Sequence, residues 1–355
     1  MPATIPIKNI YYLLSYAWDQ LEQGELVDVS SQDSTELLDL FADVLSKGTE
    51  HLIRRGLEQS YVEITEATTA IRGKIQIFPS ARRMLFEHGK ALCTYDEMTV
   101  DTKANQVIKA ALKYLSSHKD VDSGLRKKML GLVRVLPDVS DKRFDRFALR
   151  GIQLHRNNRF YKFLLNVCGL VLEQALVTEK EGANRFRDFV RDEHRMRRLF
   201  EKFLKNFYKH HLLNCEVKSE KINWWVDSDI EQNVSLLPSM TTDISIRDGE
   251  KTLVIDAKFK QSVFQKNFNK SSFHSDNLYQ LFSYLKNMEG RDGADATASG
   301  MLIYPLVNEA VHEDYSIHGH NISIRTIDLT LEWKEIEASL LGFVEIYNPG
   351  RLKTA

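Results

Sequence analysis

The stretch TTDISIRDGEKTLVIDAKFK, residues 241–260, decides the fold of the C-terminal half of the chain. It holds two β-rich runs joined by a polar turn with an Asp-Gly pair, which is a strong hairpin signal. Side chains alternate along a strand, so Asp256 and Lys258 are expected on one face of the second strand. The apolar run Leu253–Ile255 indicates a core strand, where an acid and a lysine are costly unless they pair or hold a metal.

Asp243 lies on the first strand of this predicted hairpin, which can bring it beside Asp256. Neighbouring carboxylates repel unless a cation lies between them, and Mg²⁺ prefers a few hard oxygen ligands with several waters. We therefore expect Asp243, Asp256 and the carbonyl of Ala257 to bind Mg²⁺, with Mn²⁺ as an alternative. The ion would polarise a phosphate and lower the pKa of bound water, while Lys258 orients that water or stabilises transition-state charge. The alternative is a surface hairpin with a weak Asp–Lys ion pair.

Outside this hairpin, the C-terminal half alternates between β-rich and helical patterns. The order predicts an α/β layered domain with a central mixed sheet flanked by helices. The β-rich segments are Thr242–Ile246, Thr252–Phe259, Met301–Leu306 and Ile322–Ile327, and the helical segments are Asn277–Asn287 and Leu331–Ile346. Two more helices precede the hairpin, Phe160–Leu176 and a basic helix, Glu193–Leu213, with the apolar stripe Leu199, Phe200, Phe203, Leu204 and Phe207.

The N-terminal half predicts a separate α+β domain, residues 1–150, with helices and a protruding β-hairpin. The second domain then spans residues 151–355, with the boundary near the polar, basic segment 141–158, which is a linker or a DNA-facing loop. The predicted helices are Ile7–Leu21, Ser34–Leu57, Asn105–Leu115 and Leu125–Leu136, and an acidic stretch, residues 22–33, joins the first two. Residues 61–71 and 73–78, with Arg72-Gly73-Lys74 at their junction, suit this hairpin or paired strands, and residues 91–100 are a further strand candidate.

The composition is that of a water-soluble globular protein, with 43% hydrophobic and 27% charged residues. No apolar run reaches the ~18 residues that span a bilayer, and the N-terminus lacks a secretory signal. We therefore expect a cytoplasmic protein without a membrane partner. Cys93, Cys168 and Cys215 fit neither a disulfide framework nor a zinc ribbon. The sequence has no GxxxxGK[ST] phosphate loop, so we do not expect nucleoside triphosphate hydrolysis by this chain alone.

The charge is unevenly distributed, although the formal net charge is only -1. Residues 141–210 carry about 17 Lys and Arg against about 9 Asp and Glu. A local basic stretch can bind nucleic-acid phosphates even when the total charge cancels. The alternative is a solvated helix face.

The pattern of Asp243 followed by Asp256-Ala257-Lys258 resembles the PD-(D/E)xK nuclease motif, with Thr242 where the first motif often has Pro. Gln280 and Tyr284 resemble the QxxxY helix of the RecB-like branch, and their spacing places both on one helix face. The resemblance implies that they position the Asp–Lys strand or contact the DNA backbone; the alternative is a solvated Gln and a core Tyr. Glu201 is a candidate for the extra acid on the first helix of such nucleases, or else an exposed acid among lysines.

The whole chain resembles the McrC family, the nuclease subunits of McrBC modified-cytosine restriction systems. The resemblance implies that the C-terminal half cleaves double-stranded DNA and that the N-terminal half docks onto an McrB-like AAA+ ring, whose GTPase it stimulates. The residues that carry it are residues 5–21, 45–58 and 71–75, Tyr95-Asp96-Glu97 with Asp101 and Asn105, and residues 159–163, 236–246, 256–259, 274–285 and 302–305.

Arg72 and Lys74 form a basic tip on the predicted Gly73 hairpin that could enter the ring and stabilise phosphoryl-transfer charge in trans. Arg82 and Arg83 are rival candidates, and simple exposure is the alternative for all four. Two other functions stay open: an autonomous nuclease of repair or transposition, and a non-enzymatic adaptor that only activates the motor.

Overall fold

The structure is a computed structural model that describes residues 5–22, 37–145, 147–152, 154, 158–181, 193–226, 234–260, 262–267, 270–307, 309–345 and 347. The chain divides into two compact units. We call Met1–Thr35 with Arg185–Ala355 the sheet unit, and Glu36–Asn184 the helical unit. The predicted boundary between residues 150 and 151 differs from this division, because the first helix belongs to the sheet unit and residues 151–184 belong to the helical unit. Residues 23–33 of the predicted acidic stretch lie outside the described residues.

The elements are labelled in chain order. The helices are α1 (Ile7–Ala17), α2 (Leu37–Arg55), α3 (Ile77–Arg82), α4 (Lys103–Ser117), α5 (Ser123–Arg134), α6 (Arg159–Glu181), α7 (Glu193–His211), α8 (Ser275–Met288) and α9 (Trp333–Glu345). The strands are β1 (Ser60–Thr68), β2 (Lys74–Ile75), β3 (Ala91–Thr99), β4 (Glu216–Lys218), β5 (Lys221–Ile222), β6 (Met240–Thr241), β7 (Ile244–Arg247), β8 (Thr252–Ala257), β9 (Phe264–Asn267), β10 (Lys270–Phe273), β11 (Ser299–Pro305), β12 (His312–Ile317) and β13 (His320–Ile327).

A six-stranded mixed sheet forms the centre of the sheet unit, with strand order β12-β13-β11-β8-β7-β4. Strands β8, β11 and β13 run parallel, and β12, β7 and β4 pair antiparallel with their neighbours. Every residue of β8 is buried, which agrees with its apolar sequence. The predicted central mixed sheet flanked by helices is confirmed.

Helices cover this sheet with the apolar stripes that their sequences predict. The α8 residues Leu281 and Leu285 pack against Val254, Leu302 and Ile324 of the sheet. Helix α7 packs against β4, β7 and β8, and its predicted apolar stripe is buried. None of the helices in the described ranges has the length and apolarity that crossing a membrane requires.

Helix α1 belongs to the sheet unit because its polar groups are satisfied there. The Asn9 amide donates to the carbonyls of Leu329 and Leu331, at 2.8 Å each. The Tyr16 hydroxyl lies 2.7 Å from Nε2 of His211 at the end of α7. The sequence predicts helix α1 correctly, but its periodicity carries no information about these distant partners.

The helical unit carries a three-stranded antiparallel sheet of order β1-β3-β2, which corrects the predicted hairpin. Strand β1 pairs along its whole length with β3, from Ser60↔Thr99 to Thr68↔Ala91. The run predicted as the second hairpin strand, residues 73–78, pairs with β3 instead and is extended only at β2, after which α3 begins. Gly73 permits this turn, since its φ is +57° and an added Cβ would lie 2.4 Å from the Thr94 carbonyl oxygen.

Asn105 on α4 joins the two ends of the β1–β3 pair. Its amide donates to the carbonyl of Glu58, before β1, at 2.9 Å and to that of Val100, after β3, at 2.7 Å. The Tyr161 hydroxyl donates to Asn105 Oδ1 at 2.7 Å and accepts from the Glu58 N–H at 2.6 Å. Asn105 is buried, so protein groups must satisfy these bonds.

We expect Asn105→Ala to destabilise the protein by roughly 2–4 kcal/mol, because two carbonyls and a buried hydroxyl lose a partner at once. Urea denaturation followed by circular dichroism measures the change. Ser117→Ala is the matched control on the same helix, since Ser117 is exposed and, among the described residues, its hydroxyl bonds only to the Tyr114 carbonyl of its own helix. Equal stability of the two variants would contradict a joining role for Asn105.

Candidate active site

The β7–β8 pair brings Asp243 and Asp256 together. Ile244 pairs with Ile255, and continuing this register by one residue places Asp243 opposite Asp256. The Asp243 side chain reaches across to β8, where its Oδ2 accepts a hydrogen bond of 2.9 Å from the backbone N–H of Ala257. The predicted convergence of two acids from adjacent strands is therefore present.

Asp256 and Lys258 form a buried ion pair, as the strand alternation predicts. Lys258 Nζ lies 2.6 Å from Asp256 Oδ2, and the residues are 4% and 1% exposed. Lys258 is thus the partner of Oδ2, whereas Asp256 Oδ1 has no hydrogen-bond partner within the described part of the chain. Buried polar atoms almost always have a partner, so a buried carboxylate oxygen without one calls for a ligand. The alternative of a surface hairpin with an exposed ion pair does not describe this geometry.

The two carboxyl groups have unusual proton affinities. Burial, followed by the charge of Asp256, raises the pKa of Asp243 to about 6. Burial also raises the pKa of Asp256, although Lys258 opposes the shift. When both carboxyl groups are ionised, the nearby positive charge of Lys258 does not fully offset the cost of burying them. A divalent cation would offset that deficit.

The donor set fits a magnesium-type ion with few protein ligands. Among the residues that the structure describes, His, Cys, Asp and Glu side chains form no metal-binding group of three or more. Asp243 and Asp256 would supply two carboxylates to such an ion, and the Ala257 carbonyl would add a third oxygen. Mg²⁺ commonly keeps several waters and binds through one or two carboxylates, so two acids suffice.

Gln280 and Tyr284 of α8 hold Lys258 in place. Lys258 Nζ donates to Gln280 Oε1 at 2.9 Å, and the Gln280 amide donates to the Tyr284 hydroxyl at 2.6 Å. That hydroxyl donates to the carbonyl of Thr241 at 3.0 Å, and burial raises the pKa of Tyr284. The two residues share a helix face as predicted, and this chain of bonds links α8 to Lys258 after β8 and to Thr241 of β6, two residues before Asp243.

Glu201 and Arg197 of α7 border the acidic pair. Burial and then the charge of Asp243 raise the pKa of Glu201, so Glu201 faces the site rather than solvent alone. Arg197 Nε donates to Glu201 Oε1 at 2.8 Å. Sequence reasoning missed Arg197. The four-residue spacing to Glu201 was the available signal, but nothing in the sequence alone placed that helix face beside Asp243.

A second candidate surface lies in the helical unit, between β1 and β3. We call it the apolar segment because five large apolar side chains of residues 71–86 are exposed there, with Phe78 at 88%. They are Ile71, Ile77, Phe78, Met84 and Phe86. Exposed apolar clusters of this kind mark interaction surfaces.

The four predicted basic candidates are exposed on the same stretch. Arg72 and Lys74 do not form a hairpin tip as predicted, because they lie where the chain enters β2. The Arg72 guanidinium packs over the Tyr95 ring of β3, 5.7 Å from its centroid. Arg82 and Arg83 lie at the end of α3.

Comparisons with known proteins agree with the resemblance drawn from the sequence. The family model described as McrBC 5-methylcytosine restriction system component matches residues 7–305. The type IV methyl-directed restriction enzyme EcoKMcrBC of Escherichia coli K12 is 36% identical over 343 residues, covering 97% of this chain and 98% of that protein. A chain in a solved tetradecameric assembly of Thermococcus gammatolerans McrB AAA+ hexamers with bound McrC has a similar fold. Its TM-score is 0.62 at 14% identity, over 95% of this chain and 76% of that one.

We expect Asp243→Asn to stabilise the metal-free protein at pH 8 by ~1–3 kcal/mol. The pKa of Asp243 in the folded protein lies above its ordinary 3.8, so the folded state holds the proton more tightly. Folding stability then falls as pH rises from about 4 to about 6. Thermal unfolding in EDTA should show a higher Tm than wild type at pH 8 and no gain below pH 4.

Asp295→Asn supplies a control of opposite sign in the same unit. Burial raises the pKa of Asp295, but hydrogen bonds from Arg247, Thr252 and Arg291 outweigh it and lower that pKa to about 2. This variant should lose stability at pH 8. A lower Tm for both variants would show that Asp243 is an ordinary stabilising acid.

Proposed function

The chain belongs to the family of McrBC 5-methylcytosine restriction system components, and from that membership we propose that it is the DNA-cleaving subunit of a restriction complex. The observation that carries the proposal is the convergence of Asp243, Asp256 and Lys258 at the end of the β7–β8 pair. Its substrate is double-stranded DNA containing 5-methylcytosine. The sheet unit, which holds the site, has a PD-(D/E)xK-type nuclease fold in this proposal. The compartment is the cytoplasm, where such DNA would be met.

The proposed reaction is hydrolysis of a phosphodiester bond with Mg²⁺, or Mn²⁺ in its place, bound by Asp243, Asp256 and the Ala257 carbonyl. Such an ion supplies Lewis acidity toward the phosphate and a more acidic bound water. Lys258 then directs its ammonium at the reacting phosphate, stabilising charge that develops there. Gln280 and Tyr284 keep Lys258 in one rotamer, so no reorganisation is needed during the reaction.

DNA would approach along the basic face of α7. Arg198 and Lys202 are exposed on this helix, and neither has an ion-pair partner within the described ranges. Arg198 directly follows Arg197, and Lys202 directly follows Glu201, the two residues that border the acids. Cations in such a place bind phosphates without reading sequence, so the choice of modified base falls to another subunit.

We propose that this other subunit is an McrB-like AAA+ GTPase, which forms a ring and docks on the apolar segment. The T. gammatolerans assembly contains McrB AAA+ hexamers with bound McrC, and membership in the same family supports an equivalent partner here. Arg72 and Lys74, beside the exposed apolar side chains, would stimulate the ring's GTPase by adding positive charge near its nucleotide sites.

We expect Asp256→Ala to abolish cleavage of methylated DNA by the complex with the ring, while leaving GTPase stimulation within about twofold of wild type. The two activities separate because Asp256 lies in the sheet unit and the apolar segment in the helical unit. The assay uses the chain co-purified with the product of its neighbouring gene, with GTP and Mg²⁺, on methylated and unmethylated duplexes.

The same assay distinguishes the competing functions. Cleavage without nucleotide or partner would identify an autonomous nuclease. Stimulation of the GTPase without cleavage, for wild type in Mg²⁺ and in Mn²⁺, would identify a non-enzymatic adaptor. Loss of both activities in a folded Asp256→Ala protein would contradict the assignment of docking to the helical unit.

We expect Phe78→Ala to weaken assembly with the ring by at least about tenfold, since a buried aromatic anchor contributes on the order of 2 kcal/mol to an interface. Sedimentation or interferometry measures the affinity. Leu331→Ala is the control, because Leu331 is an exposed apolar residue of the sheet unit. Unchanged affinity for the Phe78 variant would place the docking surface elsewhere.

Alanine variants of the basic residues then assign the stimulating charge. Arg72→Ala and Lys74→Ala should lower the maximal GTPase rate at saturating chain and leave assembly largely intact. If Arg82→Ala and Arg83→Ala lower it instead, the stimulating charge lies at the end of α3.

A further inference from the structure

Two lysines beside the acidic pair are held in parallel by α8. Lys258 donates to the amide oxygen of Gln280 at 2.9 Å, and Lys260 donates to the amide oxygen of Asn277 at 3.3 Å. The two amide residues are three positions apart on the helix, so they lie on one face of it. Lys258 and Lys260 are therefore presented side by side.

A hydrogen bond to Tyr304 fixes the orientation of the Asn277 side chain. Its amide NH₂ donates to the hydroxyl of Tyr304 at 2.8 Å, which turns the amide oxygen toward Lys260. Asn277 is 4% exposed and Tyr304 is fully buried. Burial raises the pKa of Tyr304 to about 12, so its hydroxyl stays neutral. The buried Tyr304 and Asn277 thus restrict Lys260 to one position.

The two lysines differ in charge compensation. Asp256 neutralises Lys258 at 2.6 Å. Among the residues described in the structure, Lys260 has no carboxylate within 4 Å, and its ammonium donates a hydrogen bond only to a neutral amide. Lys260 is also half-buried. A cation that is partly removed from water, fixed in place and left without a counter-ion is suited to bind an anion.

We propose that Lys260 binds the phosphate next to the scissile one on the same DNA strand, with Asn277 and Tyr304 as its positioning residues. The proposal rests on the nuclease function proposed above. Lys258 acts at the reacting phosphate and Lys260 fixes the register of the strand at its neighbour. Two anchored contacts hold a flexible phosphodiester backbone in one orientation, which a single contact cannot do.

The salt dependence of DNA binding tests this contact directly. One lost phosphate contact lowers the slope of log K against log salt by about 0.9 on duplex DNA. We measure binding of a labelled duplex by the assembled complex in EDTA, over a range of KCl, for wild type and Lys260→Ala. The variant should bind on the order of tenfold more weakly and show this smaller slope, and Lys260→Arg should restore both.

Two further variants separate a positioning role from general damage. Asn277→Asp places a carboxylate beside Lys260, so it should mimic Lys260→Ala in slope while the lysine is still present. Lys334→Ala removes an exposed lysine on α9 and should leave the slope unchanged. In cleavage assays with Mg²⁺, Lys260→Ala should raise KM on the order of tenfold and change kcat less than twofold.

The outcomes distinguish this inference from the proposed function. If wild type cleaves DNA and Lys260→Ala keeps the full salt slope, Lys260 binds no phosphate and the inference is wrong. If the slope falls but wild type never cleaves, the phosphate contact stands and the nuclease assignment fails. An equal loss of kcat in Lys260→Ala and Lys260→Arg would also overturn the inference, because it would indicate a role that depends on shape rather than charge.

Discussion

The site depends on one buried arrangement: two carboxyl groups, from Asp243 and Asp256, converge at the end of the β7–β8 pair with a single ammonium group between β8 and α8. The raised pKa of each acid means that ionising both destabilises the folded chain. Replacing buried charges by apolar residues is often neutral or stabilising. The cation proposed above would offset the cost of ionising both acids.

Local geometry accounts for what the sequence could predict of this site. Side chains of a strand return to the same face every two residues, so Asp256 and Lys258 share a face. Side chains of a helix return to the same face after about 3.6 residues, so Gln280 and Tyr284 share a face of α8. The tight turn between β7 and β8 limits their register, which brings Asp243 to its partner. These relations hold within about fifteen residues of chain, and one sequence is enough to derive them.

Relations between distant segments could not be derived in this way. Alternation gives the face of a strand but does not identify the neighbouring strand with which it pairs. The sequence therefore did not reveal that β1 pairs with β3 rather than with residues 73–78. The deciding feature is the backbone at Gly73, whose close approach to Thr94 is visible only in three dimensions. Arg197 was missed for the same reason, since its role follows from where α7 lies on the sheet.

The chain order of the two units has a consequence for how they must be separated experimentally. The helical unit is inserted between α1 and α7, and both of these helices belong to the sheet unit. Dividing the chain at residue 150 would remove α1 and leave the His211 ring and the Leu329 and Leu331 carbonyls without the partners that α1 supplies. Loss of activity in such a fragment would then report a damaged nuclease fold rather than a missing docking domain, because unsatisfied buried groups destabilise the core that positions Asp256. Point substitutions, which leave α1 in place, are therefore the sound way to assign cutting and docking to different residues.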